Sequence, residues 1–580
     1  MSEDITYALR HSTSHLMAQA VGEMYPGVKY AIGPAIEDGF YYDFEFTTPI
    51  GEDELRTIED KMHEIAKRDL KFVRREEPKE AALALCASND QNYKVELIND
   101  LPEGEAISFY TQGGEWEDLC KGPHVASTGE IKYFHLLSLA GAYWRGSEKN
   151  KMLTRIYGTV WQTKEELDDY LMRLEEAKKR DHRKIGKDLG LFVFAPEEVG
   201  SGIPLFLPKG EMLRHTMETY VRDVQTRYGY QHVWTGHIVR EDLYKKSGHY
   251  ENYADVMFPP MRDEDSGITY RLKPMNCPSH MTLYSQSGLK SYRDLPLRFA
   301  EFATLYRYEK SGELTGLTRV RSLTQDDCHI FCTEEQVESE FGLALKLIHE
   351  VLGKYGFDNY RVRLSMRGTE IGGKYVADDD KWNRATDALR RALIANGVEY
   401  YEAPGEAAFY GPKADFQTKD VLGREWTAST IQVDFIQPAR LGCTYIGEDG
   451  NEKTPVVLHR AVTGSTERFM GLLIEQYAGA FPLWLSPVQV MLLPISDAQN
   501  EYADAVADEL KTAGYRVDID ARSERVGKKI AEAEVQKSPY MLIMGKRDVA
   551  AETVSVRKRG EGDLGAMTVA EFIEKLNAEK

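Results

Sequence analysis

Four charged residues bracket a short polar loop in the middle of the sequence. Arg307 and Glu309 precede the glycine-containing run 311–318, and Arg319 and Arg321 follow it. Guanidinium forks pair bidentately with phosphate, so two extended arms carrying them beside a mobile loop would clamp a nucleoside triphosphate. For Arg-x-Glu alone, an exposed hairpin whose arginines pair with acids is the plainer alternative. A second group begins near the N-terminus with His11-Ser-Thr-Ser-His15 and is completed by Cys120-Lys-Gly-Pro-His124. On a helix, His11 and His15 stand one turn apart and face the same way. This set of nitrogen and sulfur donors suits zinc. A metal-free hydrolytic pocket could use the same groups, and histidines packed around a buried thiol are a third option. Cys277, in RLKPMNCPSHM and expected on a loop, precedes His329 by 52 residues, and His459 lies a further 130 on. Separations that long carry no local metal signature. Finally, Gly464-Ser-Thr-Glu-Arg468 opens the run FMGLLIEQYAG. A helix start of that kind turns backbone N–H groups toward an anion, and Arg468 adds a cation able to stack on a base.

The elements that position these groups can be read from periodicity. Residues 298–309, RFAEFATLYRYE, predict a buried strand with Phe299, Glu301, Thr304 and Tyr306 alternating, and a second strand follows at about 319–323. Cys328 and Cys332 flank His329, but on a strand Cys328 points away from it, so both are assigned to packing. A chain of 580 residues with 42% hydrophobic residues should form three or four domains. Residues 1–160 alternate short strands and helices. Thr163 and Glu166 form a capping box for a helix with Leu167, Leu171 and Leu174 as an apolar stripe, which turns basic and ends near Gly186. Residues 188–485 form the largest domain. In 486–580 the pattern becomes QVMLLPI, a helix at about 497–513, YRVDID, a basic helix, YMLIMG, TVSVRKR and a final helix near Thr568, a small α/β domain.

Composition excludes several classes of function. No apolar run reaches membrane-spanning length and the first residues are acidic and polar, so neither a membrane protein nor a secreted one is expected, and the cytosol is the default location. Six scattered cysteines build no disulfide framework. A net charge of -20 argues against a surface coated with nucleic-acid affinity, so any RNA contact must be local. Two basic stretches qualify, 178–187 and 521–560, the latter with ten Lys or Arg against five Asp or Glu, although taken alone either one reads more plainly as a solvated charged face.

Arg307-Tyr-Glu309, the loop, Arg319 and TQDDCHIF at 324–331 resemble motif 2 of the class II aminoacyl-tRNA synthetases, and the run SGELTGLTRVRSLTQDDCHIFC resembles the threonyl group among them. The resemblance extends to both ends of the chain. It implies an α+β editing domain (1–160), a linker helix (161–187), a catalytic domain built on an antiparallel sheet (188–485) and an α/β anticodon-binding domain (486–580). The implied reaction is ATP-dependent attachment of L-threonine to tRNA(Thr) through an adenylate, with hydrolytic editing of mischarged seryl-tRNA(Thr). Arg307 is expected on the α-phosphate, Glu309 on the adenine amino group, and Arg319 and Arg468 on the outer phosphates with Mg²⁺. The resemblance makes Cys277, His329 and His459 ligands of one zinc ion per subunit. Asp327 is then the acceptor for the substrate hydroxyl, Gln325 its helper, and Tyr410, Gln432 and Ser465 the substrate pocket. His11, His15, Cys120 and His124, joined by Asp118 and Lys94, correspond to the family's editing pocket, which in bacterial members works without a required metal. Ser523, Asp548 and Arg557 correspond to anticodon contacts. A homodimer is implied, with no membrane or DNA partner. Motif 1, a helix from 210 to about 228 followed by YQHVWTGHIV, has Thr235-Gly236 where a proline is expected, and no ubiquitin-like domain precedes the editing motif. A synthetase for serine or proline, or a non-catalytic tRNA-binding paralogue, are the rival readings. The zinc set disfavours the first, and the intact arginine clamp disfavours the second.

Overall fold

In the computed structural model, residues 2–102, 104–147, 149–368, 375–419 and 423–579 are described, with side chains from Ile5 onward. The chain divides into two compact units, 1–175 and 176–580.

The first unit is built on a sheet whose long strands are Gly39–Glu45, Met152–Trp161 and Tyr133–Tyr143. Its helix Asp53–Lys67 buries Leu55, Ile58, Met62 and Ile65, apolar positions three or four residues apart that make one continuous face. Together with the inner side of the helix Ser2–Met24 (Leu16, Met17, Ala20, Val21), that face and the sheet residues Phe40, Phe44 and Ile156 close one core. A separate three-stranded sheet, Phe72–Glu77, Ile107–Gln112 and Trp116–Leu119, carries the chain to Cys120. The helices Lys79–Ser88 and Asn92–Asp100 pack against it through Ala82, Cys86 and Ile98.

The second unit centres on an eight-stranded sheet in the order Gln231–His232, Leu297–Tyr306, Ser322–Cys332, Val456–Ala461, Glu425–Asp434, Lys413–Lys419, Arg361–Met366, Tyr400–Pro404. Its interior pairs are antiparallel, and only the outermost pair at each end is parallel. One face is covered by the helices Pro208–Arg227, Val337–Lys354, Asp379–Ala395 and Thr466–Tyr477 in a single large core. Residues past 486 form a second sheet in the order Val517–Ile519, Val490–Pro494, Tyr540–Met544, Thr553–Lys558, Gly562–Thr568, parallel on its first side and antiparallel on the other.

Several local expectations are corrected. The Leu297–Tyr306 strand pairs without a bulge, so Phe299 and Glu301 lie on the face opposite Thr304 and Tyr306; the apparent alternation crossed from one face to the other because both faces are partly buried. Its partner starts at Ser322 rather than 319, because Arg319 closes a turn with Thr315. Cys277 occupies the first turn of the helix Cys277–Gln286, with proline at the position that tolerates it, and is not on a loop. The Thr163–Glu166 capping box forms, but the helix stops at Arg180, and Asp181 caps a separate helix His182–Asp188. The strand Gly562–Thr568 and the helix Lys546–Ala551 were not anticipated, since neither has an apolar period strong enough to read.

Candidate functional site

Cys277, His329 and His459 reach one another because three elements converge. His329 and His459 are directly opposed on the adjacent strands Ser322–Cys332 and Val456–Ala461, with ring centroids 4.6 Å apart, and the first turn of Cys277–Gln286 brings in the thiol. All three are buried, and their donor atoms lie within 4.8 Å of one another. His329 Nε2 is buried with no hydrogen-bond partner, an orphan that a metal ion would satisfy. Burial holds the His329 imidazole well below its ordinary pKa, hence neutral, which is the ligating form. His459 Nε2 donates to Asp434 Oδ2 at 3.0 Å. One sulfur and two nitrogens this close together are a donor set that suits zinc. Burial also raises the Cys277 thiol, so in this pocket it would bind metal by giving up its proton.

Alternation along Ser322–Cys332 puts Gln325, Asp327 and His329 on one face. Asp327 is buried, and burial raises its carboxyl pKa. Tyr410 donates its hydroxyl to Gln432, which pairs across strands with His459, and the Tyr410 ring lies 5.0 Å from that of His459. Cys328 points the opposite way, toward Arg460 and Gln225, and with Cys332 belongs to the core.

The arginine cluster adjoins this pocket. Glu309 and Arg319 pair across the hairpin at 3.0 Å, and Glu313 holds Arg319 as well at 2.8 Å. The backbone N–H of Arg307 is fixed by Arg321 O at 2.9 Å, while its guanidinium lies 3.4 Å from Pro274 O and 3.2 Å from Met275 Sδ. Ser465 caps Thr466–Tyr477 by accepting from Arg468 N, and its backbone bridges Gln325. Arg468 Nε donates to Thr318 O at 3.2 Å. Burial and then the neighbouring charges of Arg307 and Arg319 depress the Arg468 pKa, so three cations concentrate positive potential at one place, as a polyphosphate site requires.

In the first unit, His11 and His15 project from Ser2–Met24 toward Cys120 and His124. Cys120 Sγ is 3.3 Å from His11 Nε2 and 3.2 Å from His124 Nε2, and Ser12 Oγ is 3.0 Å from His124 Nδ1. Burial raises the Cys120 thiol to about 12 and lowers His124 to about 3, with help from His11, so the neutral thiol and neutral imidazoles prevail at pH 7. Lys94 and Asp118 form a buried ion pair at 2.6 Å, and the Tyr42 hydroxyl donates to Asp118 while lying 2.9 Å from Lys94 Nζ. The fields of both charges reach His11 and Cys120.

Three family profiles match: the tRNA synthetase class II core domain (G, H, P, S and T) at 261–477, the anticodon binding domain at 489–579, and the threonyl and alanyl tRNA synthetase second additional domain at 107–157. A threonine–tRNA ligase of Rubrobacter xylanophilus is 62% identical over 574 residues, 99% of this chain and 89% of its own length. The chain belongs to the threonine–tRNA ligases. A Thermus thermophilus threonine–tRNA ligase is 51% identical over 97% of this chain and 87% of its own. The crystal structure of the RNA binding domain of a Cryptosporidium parvum threonyl-tRNA synthetase superposes with a TM-score of 0.65 at 36% identity, covering 69% of this chain and 98% of that one. No helix among the described residues of this ligase is long and apolar enough to cross a membrane.

In the C-terminal domain of this ligase, Ser523 is exposed and Arg557 pairs with Glu534 at 3.3 Å. Asp548 accepts from Gly545 N and Ser555 Oγ, both at 2.8 Å, a capping arrangement for Lys546–Ala551. Sequence reasoning missed His249, His280, Glu301, Lys273, Asp434 and Tyr42. His249 Nε2 lies 3.4 Å from Cys277 Sγ, and burial lowers its pKa to about 3. The only available signal was for His280, one helical turn from Cys277 in NCPSH.

Proposed function

We propose that Cys277, His329 and His459 hold one zinc ion per subunit and that Arg307, Glu309, Arg319 and Arg468 bind ATP with Mg²⁺. Threonine–tRNA ligases join L-threonine to tRNA through a threonyl-adenylate, and in this chain the threonine carboxylate would attack the α-phosphorus as pyrophosphate leaves. Arg307 meets the charge developing on the α-phosphate, Arg319 and Arg468 hold the departing phosphates, and Glu309 accepts from the adenine amino group. Donors already in place around developing charge are the largest single source of rate in such a step. Bound zinc would supply an electrophilic anchor for the substrate amine and hydroxyl. Asp327 accepts the hydroxyl proton, Gln325 assists it, and Tyr410, Gln432 and Ser465 line the pocket. A substrate without the hydroxyl would leave Asp327 buried and unpaired, which rejects valine. The orphaned Nε2 of His329, with Asp327 Oδ2 4.0 Å from Nδ1 of the same ring, carries this reading.

Serine keeps the hydroxyl and lacks only a methyl group. One methylene-sized difference yields about 1–3 kcal/mol of discrimination, too little for accurate translation. His11, His15, Cys120 and His124 therefore hydrolyse seryl-tRNA(Thr) with water, their neutral side chains supported by the Lys94–Asp118 ion pair. Ser523, Asp548 and Arg557 lie on the anticodon-reading side, and residues 1–160, 161–187, 188–485 and 486–580 serve as editing, linker, catalytic and anticodon-binding parts. Dimerisation through the motif 1 segment is supported by Trp234 and Ile238, which are 75% and 55% exposed in the single chain. The reaction belongs in the cytoplasm. The test is charging: the full chain should load threonine onto tRNA(Thr) and leave a tRNA of different anticodon uncharged, and equal charging of both would refute the reading.

A further inference from the structure

From His329 Nδ1 a chain of buried polar groups runs through His280 to Glu301, the cross-strand partner of Asp327. His329 Nδ1 is 2.8 Å from His280 Nδ1, and His280 Nε2 is 3.0 Å from Glu301 Oε2. Glu301 in turn receives the Thr235 N–H at 2.9 Å and the Asn276 amide at 2.9 Å, with the Thr235 hydroxyl 2.9 Å away and Lys273 Nζ 3.8 Å away. Lys273 also donates to Thr235 Oγ1 and Asn276 Oδ1, at 2.8 and 2.9 Å. His280, Lys273 and Asn276 are at most 1% exposed and Glu301 is 4% exposed, so none of these groups is shared with bulk water.

Two proton arrangements fit these distances: Asn276 Nδ2 donating to a bare His280 Nε2, or His280 Nε2 donating to Glu301, and the carboxylate 3.0 Å from Nε2 favours the second because it can only accept. Glu301 accepts, so His280 donates from Nε2 and presents a bare Nδ1, which accepts the proton on His329 Nδ1. His329 is thereby fixed as the tautomer whose lone pair is on Nε2, the atom left orphaned beside Cys277 and His459. Asn276 Nδ2, also 2.9 Å from His280 Nε2, donates to the same carboxylate oxygen.

We propose that His280 and Glu301, anchored by Lys273 and Thr235, are positioning residues that set the tautomer and ring orientation of His329 for metal. Thr235 stands in the tract where a motif 1 proline was expected, and a proline cannot supply the N–H that Glu301 receives from Thr235. Outer-shell carboxylate–histidine partners of this kind raise ligand basicity, and their loss typically weakens metal binding about 10–100-fold.

The inference rests on the zinc reading above, so the experiment separates the two. Zinc affinity of the intact chain is measured by competition with a chromogenic chelator, and the cobalt(II)-substituted protein gives a ligand-field spectrum. His280→Leu and Glu301→Gln should each bind zinc about 10–100-fold more weakly and shift the cobalt bands. His280→Gln, whose amide oxygen can accept from His329 Nδ1, should recover most of the loss. Thr235→Ala, which keeps the backbone N–H, should show a smaller decrease. If the unaltered chain binds no zinc, the metal reading itself falls. Tight binding by the unaltered chain, with the same affinity and the same cobalt spectrum in His280→Leu, overturns the positioning role. Should His280→Leu not fold, Glu301→Gln decides by the same criterion.

Discussion

His329 and His459 occupy directly opposed positions on neighbouring antiparallel strands, their ring centroids 4.6 Å apart, although 130 residues separate them in the chain. Strand pairing converts a remote sequence relationship into a shared binding face. Because side chains alternate, the adjacent pair Ile330 and Leu458 points into the core on the reverse side. Function on one face and packing on the other are therefore coupled through the same two strands.

Leu458→Ala should lower stability by about 2–5 kcal/mol, because the residue is fully buried and the sheet can collapse only partly around the void. Denaturant unfolding, with zinc content measured in parallel, would check this. A change below 1 kcal/mol would mean that the core behind the site is looser than the packing indicates.

Arg307→Ala should reduce adenylate formation about 100–1,000-fold, the usual effect of removing one donor aimed at developing charge. The guanidinium contacts a carbonyl and a thioether rather than an acid, so folding should be little affected. Pre-steady-state adenylate formation measures the effect, and a near-normal rate would remove Arg307 from the clamp.

Cys277→Ser should weaken zinc binding, since a hydroxyl at neutral pH is a far poorer ligand than a thiolate. Activation should fall in proportion to metal content. Full zinc occupancy and full activity in the variant would return Cys277 to the role of a core thiol.

Replacing Cys120 and His124 together with Ala should leave threonine charging nearly unchanged while seryl-tRNA(Thr) accumulates. The direct measurement is deacylation of preformed seryl-tRNA(Thr). Equal rates in the intact and substituted proteins would sink the editing assignment.

The three pocket histidines also make acid sensitivity predictable. Burial lowers His11, His15 and His124 in the folded chain, so the unfolded chain binds more protons wherever pH is below the ordinary histidine value and above the folded one. Stability from these groups is complete above about pH 6.5 and is lost as pH falls toward the folded value, about 3 for His124. Amide exchange in peptides from Ser2–Met24 should accelerate between pH 7 and 5 beyond the intrinsic pH trend. His124→Gln should diminish that acceleration. An unchanged response would show that these histidines are not buried neutral.

The sequence revealed what depends on local pattern. The helix start at Thr163 was legible from capping chemistry, that at 464–468 from its small residues, and the His-x3-His pair from one-turn spacing. The family resemblance linked Cys277, His329 and His459, which no spacing rule connects. The groups behind them stayed hidden for physical reasons. Glu301 resembles any acid on an amphipathic strand until His280 is placed against it, and Tyr42 is an ordinary strand aromatic until its hydroxyl meets Asp118. The phase of the 297–306 strand was misread because burial on both faces erases the polar–apolar contrast that periodicity uses.

The central claim, that a zinc-dependent pocket built from Cys277, His329 and His459 selects threonine, is tested most directly by amino-acid-dependent pyrophosphate exchange with metal content determined on the same preparation. The account predicts one zinc per chain, fast exchange with threonine, exchange with serine roughly 10–200-fold slower, and only background with valine. Fast threonine exchange in a chain that carries no zinc, or faster exchange with any other amino acid, would contradict it.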